Sequence, residues 1–118
     1  MSAAAKSVFI FGLYLVVIGL GLLVAPNVTL GPLGFAPSTE VWPRIVGMLT
    51  LCLAAYYVAA ARAGLIVFFR WTVAVRIGVF VVCGALVLVK MVPAPVALLG
   101  SFDLIAALWT AFALRTER

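Results

Sequence analysis

Arg76 and Asp103 are the ionisable residues that fall well inside apolar runs of this chain, Arg76 within FFRWTVAVRIGVF and Asp103 within GSFDLIAALWTAFALR. A charge in such a place needs a partner, a ligand or a task, because a central Arg costs about 2.5–3.5 kcal/mol on insertion scales. Helical spacing puts Thr72, Arg76, Val79, Cys83 and Val87 on one stripe, with Lys90 at its far end. Gly100, Asp103, Ala106 or Ala107, Thr110 and Ala113 form a second stripe of mostly small residues, where another helix can approach closely. At a rise of about 1.5 Å per residue, Arg76 stands about 9 Å beyond the anchor at Arg70, and Asp103 about 18 Å beyond Arg115. A long Arg and a short Asp together reach across a gap of that size. Adjacent antiparallel helices therefore predict an intramembrane Arg76–Asp103 pair, direct or through water. The competing readings are an Arg76 that snorkels to the headgroups, and an Asp103 in the first turn of a shorter helix capped by Ser101.

Tyr14, Tyr56 and Tyr57 lie at compatible depths, and with Thr72, Trp109 and Thr110 they make a polar-aromatic layer. Such a layer could line a pocket for an amphipathic small molecule or a lipid. The plainer alternative is that these aromatics belong to an interfacial belt. At the other end, Glu40 and Arg44 are four residues apart, which on a helix places them on one face. They read either as an ion pair at a helix start or as charges at an external entrance. With both arginines competing for one buried carboxylate, an anion or lipid headgroup is a further candidate partner.

Residues that are missing exclude more. There is no histidine, so a His-ligated haem, a His-bearing zinc site and a His general base are ruled out. Cys52 and Cys83 stand in separate apolar segments and form no CxxC, which disfavours dithiol exchange and leaves two buried apolar thiols as the expectation. No cofactor and no metal site are expected. The net charge of +5 is dispersed at segment ends rather than gathered into a patch, so nucleic acid is excluded as a partner.

The elements that must position these groups follow from composition. The chain has 118 residues, 68% hydrophobic and 9% charged, with a mean hydropathy of +1.37. A soluble domain of that size cannot hide so much apolar surface. Four runs, at about 7–25, 41–62, 67–92 and 95–115, predict an all-α membrane protein, a four-transmembrane-helix antiparallel bundle in one domain. Pro26 through Glu40, PNVTLGPLGFAPSTE, reads as an external loop. The first run lacks an A-x-A cleavage site and is read as a retained helix. In ARAG, Arg62 occupies a last turn and Gly64 a cap, while MVPAP makes a tight turn between antiparallel neighbours. Lys6, Arg62, Arg70, Arg115 and Arg118 fall on one side against Arg44 and Lys90 on the other. The positive-inside rule then puts both termini in the cytoplasm of a bacterial inner membrane. Gly12 with Gly19, the Ala55–Ala59–Ala63 ladder, and Ala74 with Gly78 suit a compact bundle or a homodimer equally. Asn27-Val28-Thr29 matches the glycosylation pattern by chance.

An opening helix that ends in Pro (GLGLLVAPN), a second that begins Arg44-Ile45-Val46-Gly47, a third with an internal Arg, and a last with an acid followed by small residues and an aromatic together resemble the DoxX-like group of small four-helix membrane proteins. That resemblance implies an accessory subunit of a respiratory or oxidation system, or a membrane chaperone, and it carries no catalytic motif onto these positions. The expected function is accordingly a non-catalytic membrane protein, an accessory subunit or a binder of lipid or an apolar ligand. Its expected partners are membrane lipid, an apolar small molecule or quinone, and a second copy or a partner membrane subunit. Two alternatives stand beside it. A small proton-coupled multidrug-type transporter shares the length and span number, although its first-helix acid is missing here. A membrane enzyme acting on a lipid or quinone would use Asp103 as acid or base with a Tyr as donor.

Overall fold

In hydrocarbon no water is available to satisfy an open backbone, so apolar runs of this length have to be helices. The computed structural model describes residues 1–116. Its long helices are α1 (Ala3–Val24), α3 (Trp42–Ala63), α4 (Ile66–Leu88) and α5 (Val96–Thr116), with a short α2 (Pro26–Leu30) after the first. Crossing about 30 Å of hydrocarbon takes about 20 residues, and each long helix has 21 to 23. The chain is an integral membrane protein built as an all-α bundle of four apolar helices.

Local chemistry sets the ends. α1 starts at Ala3 because the Ser2 hydroxyl accepts the Ala5 N–H at 3.1 Å, capping the first turn. It stops before Pro26, which lacks an N–H and instead opens α2. The segment read as a plain loop is folded: α2 runs into a 3-10 turn at Gly31–Leu33. Asn27 then brackets Ser38, its Nδ2 donating to the Ser38 carbonyl at 3.1 Å and its Oδ1 accepting the Ser38 N–H at 3.0 Å. Gly64 ends α3 in the left-handed conformation, its N–H turned back to the Ala60 and Ala61 carbonyls. α4 ends at Leu88, with Lys90 left-handed at φ 59°, and Pro93 and Pro95 block any continuation.

The helices form two antiparallel pairs. α1 packs chiefly on α3 and α4 chiefly on α5; α1 and α5 join the pairs, while α4 barely touches α1 or α3. The result is a slab of 47 × 29 × 17 Å. Gly47 makes the first pair close: a Cβ there would lie 2.7 Å from both the Gly19 carbonyl oxygen and the Leu23 nitrogen. Ala55, Ala59 and Ala63, by contrast, are exposed, so that ladder does not hold α3 to its neighbours. At the end away from the termini, Gly34 (φ 91°) brings the α2–α3 connection against Pro93 of the α4–α5 turn, and a Cβ there would sit 2.7 Å from the proline Cβ. Lys6, Arg62, Arg70 and Arg115 belong to the end that carries the termini; Arg118 lies outside the described residues.

The interior is mostly apolar, with a small polar centre. Its largest fully buried side chains are Arg76, Phe69, Val8, Thr110 and Ser7, three of them polar, whereas Val17, Val75, Ile105 and Phe112 are turned outward to lipid. Cys52 is also exposed and Cys83 is half-buried, both as free thiols, so the expectation of two buried cysteines is corrected. Replacing Gly47 with Ala overpacks backbone against backbone and is expected to cost about 1–3 kcal/mol. Gly78→Ala, whose Cβ meets open space, should be neutral or stabilising by up to about 1 kcal/mol. Unfolding both variants by titration with a denaturing detergent checks the contrast, and equal losses would contradict it.

Candidate functional site

Phe69, Thr72 and Arg76 are the residues of α4 that are buried, one stripe at helical spacing near the terminus end of the bundle. Arg76 is 1% exposed, so it does not snorkel. Its Nε donates to the Thr72 carbonyl at 3.2 Å and its Nη2 to the Thr72 hydroxyl at 3.1 Å, both one turn back on its own helix. The same Nη2 also donates to Thr110 Oγ1 of α5 at 2.9 Å. Thr110 in turn shares a 2.7 Å hydrogen bond with Ser7 of α1. The guanidinium carbon stands 4.8 Å from the centroid of Phe11 and 5.9 Å from that of Tyr57, within the range of cation–π attraction. One buried charge thus gathers residues from all four long helices. Nη1 alone is left without a hydrogen-bond acceptor.

The expected Arg76–Asp103 pair is absent. No ion pair forms among the described residues, and the function built around that pair is corrected with it. Depth explains why. Thr110 lies five residues before Arg115, about 7.5 Å up its helix, close to the level of Arg76 at about 9 Å; Asp103 is more than a turn too high. Asp103 is half-buried and joins no hydrogen bond. Nor does it start a shorter helix, because α5 begins at Val96 and the Ser101 hydroxyl donates back to the Ala97 carbonyl at 2.8 Å.

The other anticipated residues divide. Tyr57, Thr72 and Thr110 are buried around Arg76, Tyr14 and Trp109 stand beside the α1–α5 seam, and Tyr56 is 68% exposed, away from both. Glu40 and Arg44 do not pair, because Glu40 precedes the first turn of α3 and so misses the face its spacing would give it. Arg44 instead donates through Nη1 to the Leu23 carbonyl at the end of α1. Ser7 and Phe11 had no part in the sequence reading. A signal existed for Ser7, a hydroxyl in the second turn of α1 at the depth of Thr110.

Between α1 and α5 lies a groove of about 150 Å³, lined by Ser7, Phe11, Tyr14, Phe102, Ala106 and Trp109 among others. Tyr14 and Phe102 stack at 4.9 Å and 11°. Phe11 meets Tyr14 at 5.5 Å and Tyr57 at 5.4 Å, and Tyr57 meets Phe68 edge-on at 5.4 Å. Ser7 and Phe11 are therefore common to the groove and to the surroundings of Arg76. No group of three or more His, Cys, Asp or Glu side chains that could hold a metal ion occurs among the described residues.

No family model, curated protein or solved structure matches this chain.

Thr110→Val keeps the side-chain volume but removes the acceptor for Arg76 and the partner of Ser7. It should cost about 1–2 kcal/mol of stability in detergent. Asp103→Asn, which breaks no bond, should unfold within about 0.5 kcal/mol of the parent. The reverse order would restore the discarded pair.

Proposed function

We propose that this protein binds the flat ring of a lipid-borne amphipathic molecule, of the quinone type, in the groove between α1 and α5. The observation that carries the reading is the groove itself, with aromatic walls on both helices and only the Ser7 and Tyr14 hydroxyls and the Trp109 indole N–H as side-chain polar groups among its apolar lining. Ligand sites are mostly apolar with a few placed polar groups, and an apolar cavity of roughly 150 Å³ accepts a molecule the size of benzene. A ring entering from the side would lie among Phe11, Tyr14, Phe102 and Trp109 and leave its tail in the hydrocarbon. Trp109 is 43% exposed, so the groove meets the bilayer and needs no aqueous entrance.

In this reading both termini face the cytoplasm. Lys6, Arg62, Arg70 and Arg115 at the terminus end, against Arg44 and Lys90 at the other, support that orientation. A bacterial inner membrane and the likeness to the DoxX-like group belong to the same proposal, resting on Pro26, Arg44, Gly47 and Arg76.

Fluorescence tests the groove. In a variant with Trp42→Phe and Trp71→Phe, emission comes from Trp109 alone, and a short-chain benzoquinone titrated into nanodiscs should quench it saturably. Ala106→Leu fills the groove and should abolish the saturable component while leaving collisional quenching. Quenching that is linear in the parent, or unchanged by Ala106→Leu, would sink the idea. Orientation has its own check. A membrane-impermeant thiol reagent applied to intact cells should label a cysteine introduced at Ser38 and spare one at Ser2.

A further inference from the structure

The other end of the molecule carries a cavity of a different kind. It measures about 390 Å³ and lies where α1 gives way to α2 and the chain returns into α3, with Val24, Asn27, Val28, Ser38, Glu40 and Arg44 among its lining. Its position at the helix ends is the level of lipid headgroups. Asn27 is committed on both sides of its amide to Ser38, and the Ser38 hydroxyl accepts the Glu40 N–H at 3.1 Å. Those bonds fix the rim and leave two charged groups over. Arg44 uses one N–H on the Leu23 carbonyl, out of the five a guanidinium offers. Among the described residues the Glu40 carboxylate takes part in no hydrogen bond or ion pair. Although of opposite sign and both on this cavity, the two do not close on each other.

Among the described residues this cavity holds one guanidinium with N–H groups to spare and one carboxylate without a partner, which disfavours a simple ion of either sign, since each would meet repulsion from one wall. It suits a molecule that carries both charges a few bonds apart. We infer that this cavity recognises a phosphate–ammonium zwitterion of the phosphoethanolamine type, its phosphate oxygens accepting from Arg44 and its primary ammonium donating to Glu40. A guanidinium fork matches phosphate geometry. A choline headgroup has no N–H to give Glu40, and a glycerol headgroup has no cation at all. Val24 and Val28 offer apolar surface beside the charges, where the glycerol and the start of the acyl chains would lie. The site shares no residue with the α1–α5 groove and stands independently of it.

The full-length protein, exchanged into detergent with an equimolar mixture of phosphatidylethanolamine, phosphatidylglycerol and phosphatidylcholine, can be read by native mass spectrometry for lipid retained per chain. Phosphatidylethanolamine should be enriched over both others. Glu40→Gln breaks no bond in the protein, so it should fold normally and lose that enrichment, with phosphatidylglycerol now retained at least as well. Arg44→Gln should lose retention of all three; because it also frees the Leu23 carbonyl, Glu40→Gln is the deciding variant. Displacement of the bound lipid by soluble glycerophosphoethanolamine would assign recognition to the headgroup alone, and enrichment that survives it would assign the membrane lipid. Equal retention of the three lipids by the parent protein, or enrichment unchanged in Glu40→Gln, overturns the inference.

Discussion

A guanidinium sealed inside a membrane bundle with no carboxylate in ion-pair contact has to be satisfied by whatever acceptors the helices can bring to its depth. Here these are the Thr72 carbonyl and hydroxyl, the Thr110 hydroxyl and two aromatic faces. Insertion of a central Arg costs about 2.5–3.5 kcal/mol, and hydrogen bonds to charged groups contribute about 1.5–3 kcal/mol each. Two or three such bonds are enough to offset the cost without a carboxylate in contact. The geometry they demand brings Thr110 of α5 to α4, and the Thr110–Ser7 bond then brings α1 to both. Since α4 has few other contacts with α1 or α3, the polar centre and the apolar cluster around Phe69 and Ala113 together attach the α4–α5 pair to the rest at this end.

How much of this could be read from residues alone depends on the kind of force involved. Spans are set by length and apolarity, and both are local properties. The stop at Gly64 and the break at Pro26 are local too, one from a left-handed cap and one from a missing donor. That Arg76 turns inward followed from Thr72 on its stripe, and Thr72 is indeed a partner. The partner on the next helix is set by depth rather than by opposite charge. Counted from Arg115, Thr110 was already nearer the level of Arg76 than Asp103. Ser7 and Phe11 do not stand out in the sequence, since a serine beside a basic anchor and a phenylalanine in an apolar run carry no distinguishing local mark. Gly47 appeared only as part of a motif, whereas its role is to let two backbones touch.

The polar centre and the groove are not separate compartments. Phe11 has the guanidinium at one side and lines the groove, and Ser7 both bonds Thr110 and lines the groove. Anything that moves Phe11 changes the dielectric surroundings of a buried cation. The groove's shape is therefore held by more than apolar contact: the hydroxyls of Thr110 and Ser7, one of them an acceptor for Arg76, also link α1 to α5. At the opposite end the Gly34–Pro93 contact holds the two pairs together. The groove lies between these fastenings, along a seam that is otherwise lightly packed.

The division into two helix pairs also bears on biogenesis. A chain emerging from the ribosome completes α1 and α3 first, and these can lock through Gly19 and Gly47 before anything else has been made. α4 follows with a guanidinium whose acceptor on α5 is thirty-four residues further along. Until that acceptor arrives, Arg76 has only its own helix and whatever α1 and α3 present. The apolar length of α4, with a mean hydropathy of 2.2, is enough to carry that single charge into the bilayer. The buried site is completed only when α5 docks, so the last helix made is the one that finishes the centre.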